Sequence, residues 1–360
     1  MKEKENNMDK KDIKSMNLNE LKEEMEAMGE KPFRAKQIYE WLHVKLVDDL
    51  EGMTNISEKL RARIREEYEF TTLEIVDKQV SKQDGTAKYL FRLKDGNLIE
   101  SVLMKYKHGN SVCISSQAGC RMGCKFCAST IAGLKRNLLP SEMLEQIYRI
   151  QKESGERVSN VVVMGTGEPF DNYENLIQFL KLLTDENGLN ISARNITVST
   201  CGIVPKIKEF AEENMQVTLA ISLHAPNDEK RKRMMPIANK YSISELLEAC
   251  QYFFEKTGRR ITFEYSLAQG VNDLEEDARE LIGLVKGMNC HVNLIPINPV
   301  EELEFEGSAK KVAEKFKNKL EKSRINVTIR REMGRDIDGA CGQLRRRYDR
   351  TDREEGTKEC

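Results

Sequence analysis

The chain has 360 residues, 58 Lys plus Arg against 59 Asp plus Glu, and a formal net charge of -1, with 39% hydrophobic and 32% charged residues. That balance argues against a generic polyanion binder, though it leaves room for a local basic face, and no run reaches the roughly 20 apolar residues of a membrane helix. The opening stretch MKEKENNMDKKDIKSMN lacks the apolar segment of a secretory signal, so a cytoplasmic location without membrane association is expected.

Residues 1–12 are mostly charged and polar, and are expected to be disordered. From 13 to 72 the apolar spacing is helical: Leu21, Met25 and Met28, then Ile38, Trp41 and Leu42, then Leu60, Ile64 and Tyr68. Asn17, with Glu20 three residues on, reads as a capping box, and Ser57 as a second N-cap. Residues 73–110 alternate as a short antiparallel sheet with a hairpin at Asp95–Gly96. From 111 to 345, apolar β-type runs at 111–116, 158–165, 195–200, 216–223, 260–267, 290–297 and 325–331 are separated by helical patterns. Such strand–helix alternation predicts an α/β fold with a parallel sheet, here an incomplete (β/α) barrel whose chemistry gathers at the C-terminal strand ends. Residues 346–360 form a charged tail.

The nine cysteines lie at 113, 120, 124, 127, 201, 250, 290, 341 and 360. An odd count in a chain of this kind points to metal or redox chemistry rather than a disulfide framework. Cys120, Cys124 and Cys127 form a C-x3-C-x2-C motif just after the first barrel strand. Three thiolates on one tight loop can hold three irons of a 4Fe–4S cluster, leaving the fourth open to a bidentate small molecule such as S-adenosylmethionine (SAM). A zinc site is the alternative; it wants a fourth ligand, for which His108 is available, and usually pairs of C-x2-C. Gly165-Thr166-Gly167-Glu168-Pro169 follows the second strand, where glycines admit a ligand close to the backbone and a carboxylate can hold an ammonium group. Ser199, Ser222 and His224 sit at successive strand ends, where they either line a ligand cup or cap helices. Cys113 and Cys341 taken singly read as packed thiols, although the first and last strands deliver both to one barrel mouth.

SVCISSQAGCRMGCKFCAS, VVVMGTGEPFDN, ITVSTCG, ISLHAPNDEKR, HVNLIPINP and REMGRDIDGACGQL together resemble the RlmN family, the bacterial radical-SAM adenosine-C2 RNA methyltransferases, to about Leu344. The resemblance implies a 4Fe–4S cluster on Cys120, Cys124 and Cys127, and SAM contacts by Gly167, Glu168, Ser199, Ser222, Leu223, His224 and Asn298. It implies a packed, non-catalytic Cys201. It further implies that Cys341 is S-methylated by one SAM, that a radical from a second SAM activates this methyl group for addition to adenine, and that Cys113 then resolves the adduct, leaving a transient Cys113–Cys341 disulfide. Glu100 resembles the family's proton acceptor; otherwise it is an exposed strand carboxylate. The substrates implied are 23S rRNA and tRNA, with an external, flavodoxin-like one-electron donor. Two alternatives remain at this level: the related carbon-8 adenosine rRNA methyltransferases, which share the cysteine framework, and a non-catalytic zinc-containing RNA-binding protein.

RNA contact is expected on a basic face. Between Ser101 and Ser141 lie Lys105, Lys107, Arg121, Lys125, Lys135 and Arg136 with no acid, and Lys230–Arg233 and Arg345–Arg347 add two further runs. The 230s cluster read alone is a solvated charged face. The helical segment 13–72 is a docking module by resemblance.

Overall fold

The computed structural model describes residues 10–107, 109–297, 305–338, 344, 345, 347 and 348. Three helices open the chain: α1 (Leu18–Ala27), α2 (Phe33–His43) and α3 (Glu58–Glu67). Their starts are set locally, as the sequence indicates. Asn17 accepts hydrogen bonds from the backbone N–H of Asn19 and Glu20, and the Glu20 carboxylate in turn accepts from Asn17 N at 2.7 Å. Ser57 caps α3 through Leu60 N; each such cap is worth about 1 kcal/mol. The inward stripes of these helices join the main hydrophobic core. Residues 10–12 are ordered, contrary to the compositional expectation: Asp12 is buried, bridges to Glu69 and accepts from Ser141 Oγ at 2.6 Å.

The strands β1 (Glu74–Val80), β2 (Ala87–Arg92), β3 (Leu98–Tyr106) and β4 (Gly109–Ile114) pair antiparallel in sequence order. The turn predicted at Asp95–Gly96 closes β2 to β3, with Gly96 at φ +85°. This sheet is not a separate unit, because β4 also pairs in parallel with β7 (Val158–Val163). One ten-stranded sheet therefore runs β1-β2-β3-β4-β7-β8-β9-β10-β11-β12, its later members being β8 (Ile196–Thr200), β9 (Thr218–Ser222), β10 (Ile261–Leu267), β11 (Cys290–Pro296) and β12 (Val327–Ile329). From β4 to β12 all neighbours are parallel, and among the described residues the sheet stays open between β12 and β1. The helices α4 (Pro140–Ser154), α5 (Tyr173–Thr184), α6 (Val204–Glu212), α8 (Ile243–Thr257), α9 (Glu275–Val285) and α10 (Lys310–Lys322) connect the strands near the positions expected. Three short elements were not expected: β5 (Gln117–Gly119) pairs with β6 (Leu134–Asn137), and α7 (Asp228–Met234) precedes α8.

Side-chain alternation on the parallel strands sorts two faces. Ile196 and Val198, Leu219 and Ile221, and Phe263 and Tyr265 are buried in the main core. The opposite face is polar and forms the lumen: Ser222 pairs in register with Glu264, Glu264 with Asn293, and Asn293 with Thr328. On β4, Val112 and Ile114 belong to the core while Cys113 takes the other face.

Candidate active site

The cysteine loop is braced at both ends and in the middle. It leaves β5 at Gly119, whose φ of +82° only glycine adopts readily and whose added Cβ would overlap the Gly133 carbonyl. Cys120 N donates to that same carbonyl at 3.2 Å. Thr130 Oγ1 donates to the carbonyl oxygens of Cys127 and Cys124 at 2.9 and 3.3 Å, and Lys125 N donates to Met234 O of α7 at 2.9 Å. All three cysteines line a cavity of about 280 Å³ at the C-terminal mouth of the barrel. Burial pushes the Cys120 thiol up to about 12 and the Cys124 thiol well above its usual range, with mutual repulsion adding to both. Thiolates here therefore require positive charge beside them, which the iron of a cluster would provide. Among the described residues no three His, Cys, Asp or Glu side chains gather on one point as ligands of a single ion would. Three thiolates holding separate irons of a cluster would not need to converge on one point.

Opposite the loop, Gly165 and Gly167 let the chain after β7 lie against the end of β4. A Cβ at Gly165 would sit 2.6 Å from Ile114 O, and one at Gly167, where φ is +114°, 2.7 Å from Gln117 Cβ. Glu168 is thereby held inside the cavity wall, its Oε1 accepting from Phe170 N at 3.0 Å and its Oε2 from Cys201 N at 2.7 Å. Burial raises its pKa, so an incoming ammonium group would meet a carboxyl poised to gain by ionising beside it. Ser199 and Ser222 line the same cavity. His224 does too, in the left-handed region at φ +55°, a strained backbone of the kind that clusters at functional sites. Its Nδ1 accepts from Ser266 N at 2.9 Å, so the proton resides on Nε2; burial lowers its pKa to about 3, keeping the ring neutral.

Other expected site residues lie elsewhere. Leu223 sends its side chain into the core, and its backbone N–H donates to Glu264 O at 3.1 Å. Cys201 packs with Cys124, Met234, Met235 and Ala268 in a small apolar cluster that also borders the cavity. Cys113 and Glu100 share the lumen face through the Val102–Cys113 register, but neither lines the cavity. Glu100 is buried rather than exposed: Lys88 Nζ lies 3.1 Å from its Oε2 and Arg345 N donates to its Oε1 at 2.7 Å. Asn298, His108, Cys341, Arg346, the tail 349–360 and residues 1–9 fall outside the described residues.

The basic runs require correction. Lys105 pairs with Glu156, Arg121 with Asp171, Arg136 with Glu142 and Asp95, and Lys230 with Asp277, while Arg231 is fully buried. Sequence-local absence of acids is not spatial absence: helices, turns and loops outside these runs bring the carboxylates. Cavity-lining residues that the sequence reading missed include Met235, Glu264, Ser266 and Arg330. A signal for two of them was present in ITFEYSL, where Thr262, Glu264 and Ser266 alternate with apolar residues. A parallel strand covered on both faces reads as continuously apolar, so this alternation marks a polar lumen.

Comparison with known proteins places the chain. The radical SAM superfamily model matches residues 114–282, and the ribosomal RNA large subunit methyltransferase N-terminal domain matches residues 11–70. The chain is 67% identical over 337 residues to a probable dual-specificity RNA methyltransferase RlmN of Lachnospira eligens, covering 94% of this chain and 96% of that protein. It is 62% identical over 340 residues to the like-named protein of Lachnoclostridium phytofermentans, again covering 94% and 96%. The crystal structure of a radical SAM methyltransferase from Sphaerobacter thermophilus superposes with a TM-score of 0.88 at 43% identity, over 92% of this chain and 98% of that one. With its N-terminal domain, its cysteine loop and its barrel all accounted for, the chain belongs to the RlmN family of radical-SAM methyltransferases.

Proposed function

We propose that the protein is a radical-SAM RNA methyltransferase that methylates carbon 2 of adenosine in 23S rRNA and in tRNA. The observation that carries this is a single cavity in which Cys120, Cys124 and Cys127 face Glu168, Ser199, Ser222 and His224. The cofactors are a 4Fe–4S cluster and SAM, which when bound supply radical chemistry and the methyl carbon. Cys120, Cys124 and Cys127 hold three irons. Gly167 and Glu168 receive the methionyl amine, and Ser199, Ser222, His224 and Asn298 fix the rest of the SAM molecule. Carbon 2 of adenine is not nucleophilic, so a thiol must carry the methyl group to it: Cys341 does so as a thioether. Glu100 takes the carbon-2 proton, and Cys113 attacks the Cys341 sulfur, which releases the RNA and leaves both thiols as a disulfide. The lumen-side placement of Cys113 and Glu100 supports these roles. The target base is unstacked to reach the cavity, segment 13–72 docks the RNA, and a flavodoxin-like donor in the cytoplasm supplies electrons.

The test is mass spectrometry of nucleosides from unmodified RNA incubated anaerobically with reconstituted enzyme, SAM and a reductant. A 2-methyladenosine peak is expected; 8-methyladenosine would move the chain to the carbon-8 reaction. Cys341→Ala should abolish methylation with the cluster intact, and Cys113→Ala should accumulate a protein–RNA adduct on a denaturing gel.

A further inference from the structure

The stretch Asp228–Met234 contains the Lys230–Arg233 run and folds as the seven-residue helix α7, capped by Asn227 through Lys230 N at 3.0 Å. Its charges do not share one fate. Lys230 pairs with Asp277 at 2.5 Å, Lys232 and Arg233 are exposed, and Arg231 turns inward to 0% exposure. Arg231 Nη2 donates to Cys201 O at 2.7 Å and to Ser222 O at 3.2 Å, and its Nε donates to Leu223 O at 3.2 Å. Nη1 is buried without a partner. All three acceptors are neutral carbonyls, and among the described residues no carboxylate forms an ion pair with this guanidinium. A buried cation without an ion-pair partner costs several kcal/mol; the Asp228 carboxylate on the same helix acts on Arg231 without pairing with it, which leaves a further counter-charge wanting among the described residues.

Its surroundings indicate where that counter-charge arrives. Cys201, whose carbonyl oxygen takes the Arg231 Nη2 hydrogen bond, packs in one cluster with Cys124 of the cysteine loop. Met234 and Met235, just beyond Arg231, pack against these two cysteines and Ala268 in an apolar cluster separate from the main core. Met234 O also takes the N–H of Lys125, the residue after Cys124. Arg231 thus stands behind the cysteine loop in dry surroundings where charge is weakly screened. It also ties together the ends of β8 and β9, from which Ser199 and Ser222 reach the cavity.

We propose that Arg231 is a positioning residue for the radical chemistry: its buried positive charge offsets the negative charge of the thiolate-ligated cluster and makes the cluster easier to reduce. This rests on the functional reading above. A cluster with three thiolate ligands gains one more negative charge on accepting an electron, and a fixed cation favours that form over the oxidised one.

The test uses anaerobically reconstituted full-length protein, with iron and sulfide assayed first and the cluster then titrated potentiometrically by electron paramagnetic resonance. Arg231→Gln, which keeps donors but loses the charge, should shift the reduction equilibrium at least tenfold against the reduced cluster, about 59 mV to the negative for one electron. Arg231→Lys, which keeps the charge but loses the fork, should stay within about threefold of wild type while binding SAM more weakly in equilibrium dialysis. An unchanged Arg231→Gln potential overturns the proposal, as does an Arg231→Lys shift as large as that of Arg231→Gln, because geometry and not charge would then be responsible. If Arg231→Gln cannot assemble a cluster, assembly by Arg231→Lys supports the charge requirement and failure by both overturns it. A wild-type chain that takes up no cluster would instead sink the functional reading, before any variant is compared.

Discussion

Lys88 and Glu100 form an ion pair of 3.1 Å between adjacent strands, both side chains buried on the lumen side of the sheet. Lys88 Nζ also donates to Asp338 O at 2.7 Å, while the second carboxylate oxygen of Glu100 accepts from Arg345 N at 2.7 Å. The pair therefore grips the chain on both sides of residues 339–343, the stretch that includes Cys341. Gln79 adds to this hold, accepting from Asp338 N and donating to its carboxylate, both at 2.9 Å. The antiparallel strands before the barrel thus hold both Asp338 and Arg345. Removing one partner of a buried pair strands the other charge, so Lys88→Met should cost about 3–5 kcal/mol, read as a lower urea midpoint. Glu100→Gln strands the Lys88 charge in the same way and should cost a similar amount, although its amide keeps an acceptor for Arg345 N; no loss from either variant would mean the charge pair is not what matters.

Gly119 is where the cysteine loop leaves the β5–β6 ribbon in a left-handed conformation against Gly133. Gly119→Ala should displace the start of the loop, since neither the backbone angle nor the neighbouring carbonyl tolerates a Cβ. Iron and sulfide bound per chain after reconstitution should fall severalfold. Full loading would show that the loop positions its thiols without this turn.

His43 is enclosed between α2 and α4, with Nδ1 2.7 Å from Tyr148 Oη and Nε2 unpartnered. Burial, with Lys14 nearby, lowers its pKa from 6.5 to about 3. The folded state therefore keeps the ring neutral while the unfolded chain protonates it below 6.5, so its contribution to stability is lost as pH falls from 6.5 towards 3. Between pH 7 and pH 5 wild type should lose about 2 kcal/mol relative to His43→Gln. Urea denaturation at the two pH values checks this, and a constant difference would mean that His43 does not titrate on unfolding.

Of the Lys230–Arg233 run, only Lys232 and Arg233 face solvent. If they meet phosphate, each alanine substitution should weaken RNA binding and reduce the slope of log K against log salt by about 1. Lys230→Ala should leave that slope unchanged, its ammonium being engaged with Asp277 at 2.5 Å. Fluorescence anisotropy with a labelled RNA hairpin over a salt series separates the two cases, and identical slopes for all three variants would remove this helix from the RNA face.

The features legible in the sequence are those decided over short stretches of chain. The caps at Asn17 and Ser57 depend on residues within one turn, the strand–helix alternation on the period of apolar side chains, and the cysteine loop on three thiols spaced within eight residues. Charge was misread because its meaning is not local. Arg231 belongs to a run that looks solvated, yet a seven-residue helix can present opposite faces to water and to core, and only packing against β8 and β9 decides which face goes where. Arg136 has no acid near it on its N-terminal side, but the β2–β3 turn brings Asp95 to it. Glu100 reads as an exposed strand carboxylate until Lys88 arrives opposite it. By itself the sequence determined the main helices and strands, their alternation and the cysteine motif, since each follows from backbone period and residue spacing. Only the tertiary structure decided which charges are buried, which carboxylates answer them, and which strand faces line the cavity, because those outcomes depend on non-local pairing and on the cost of removing charge from water.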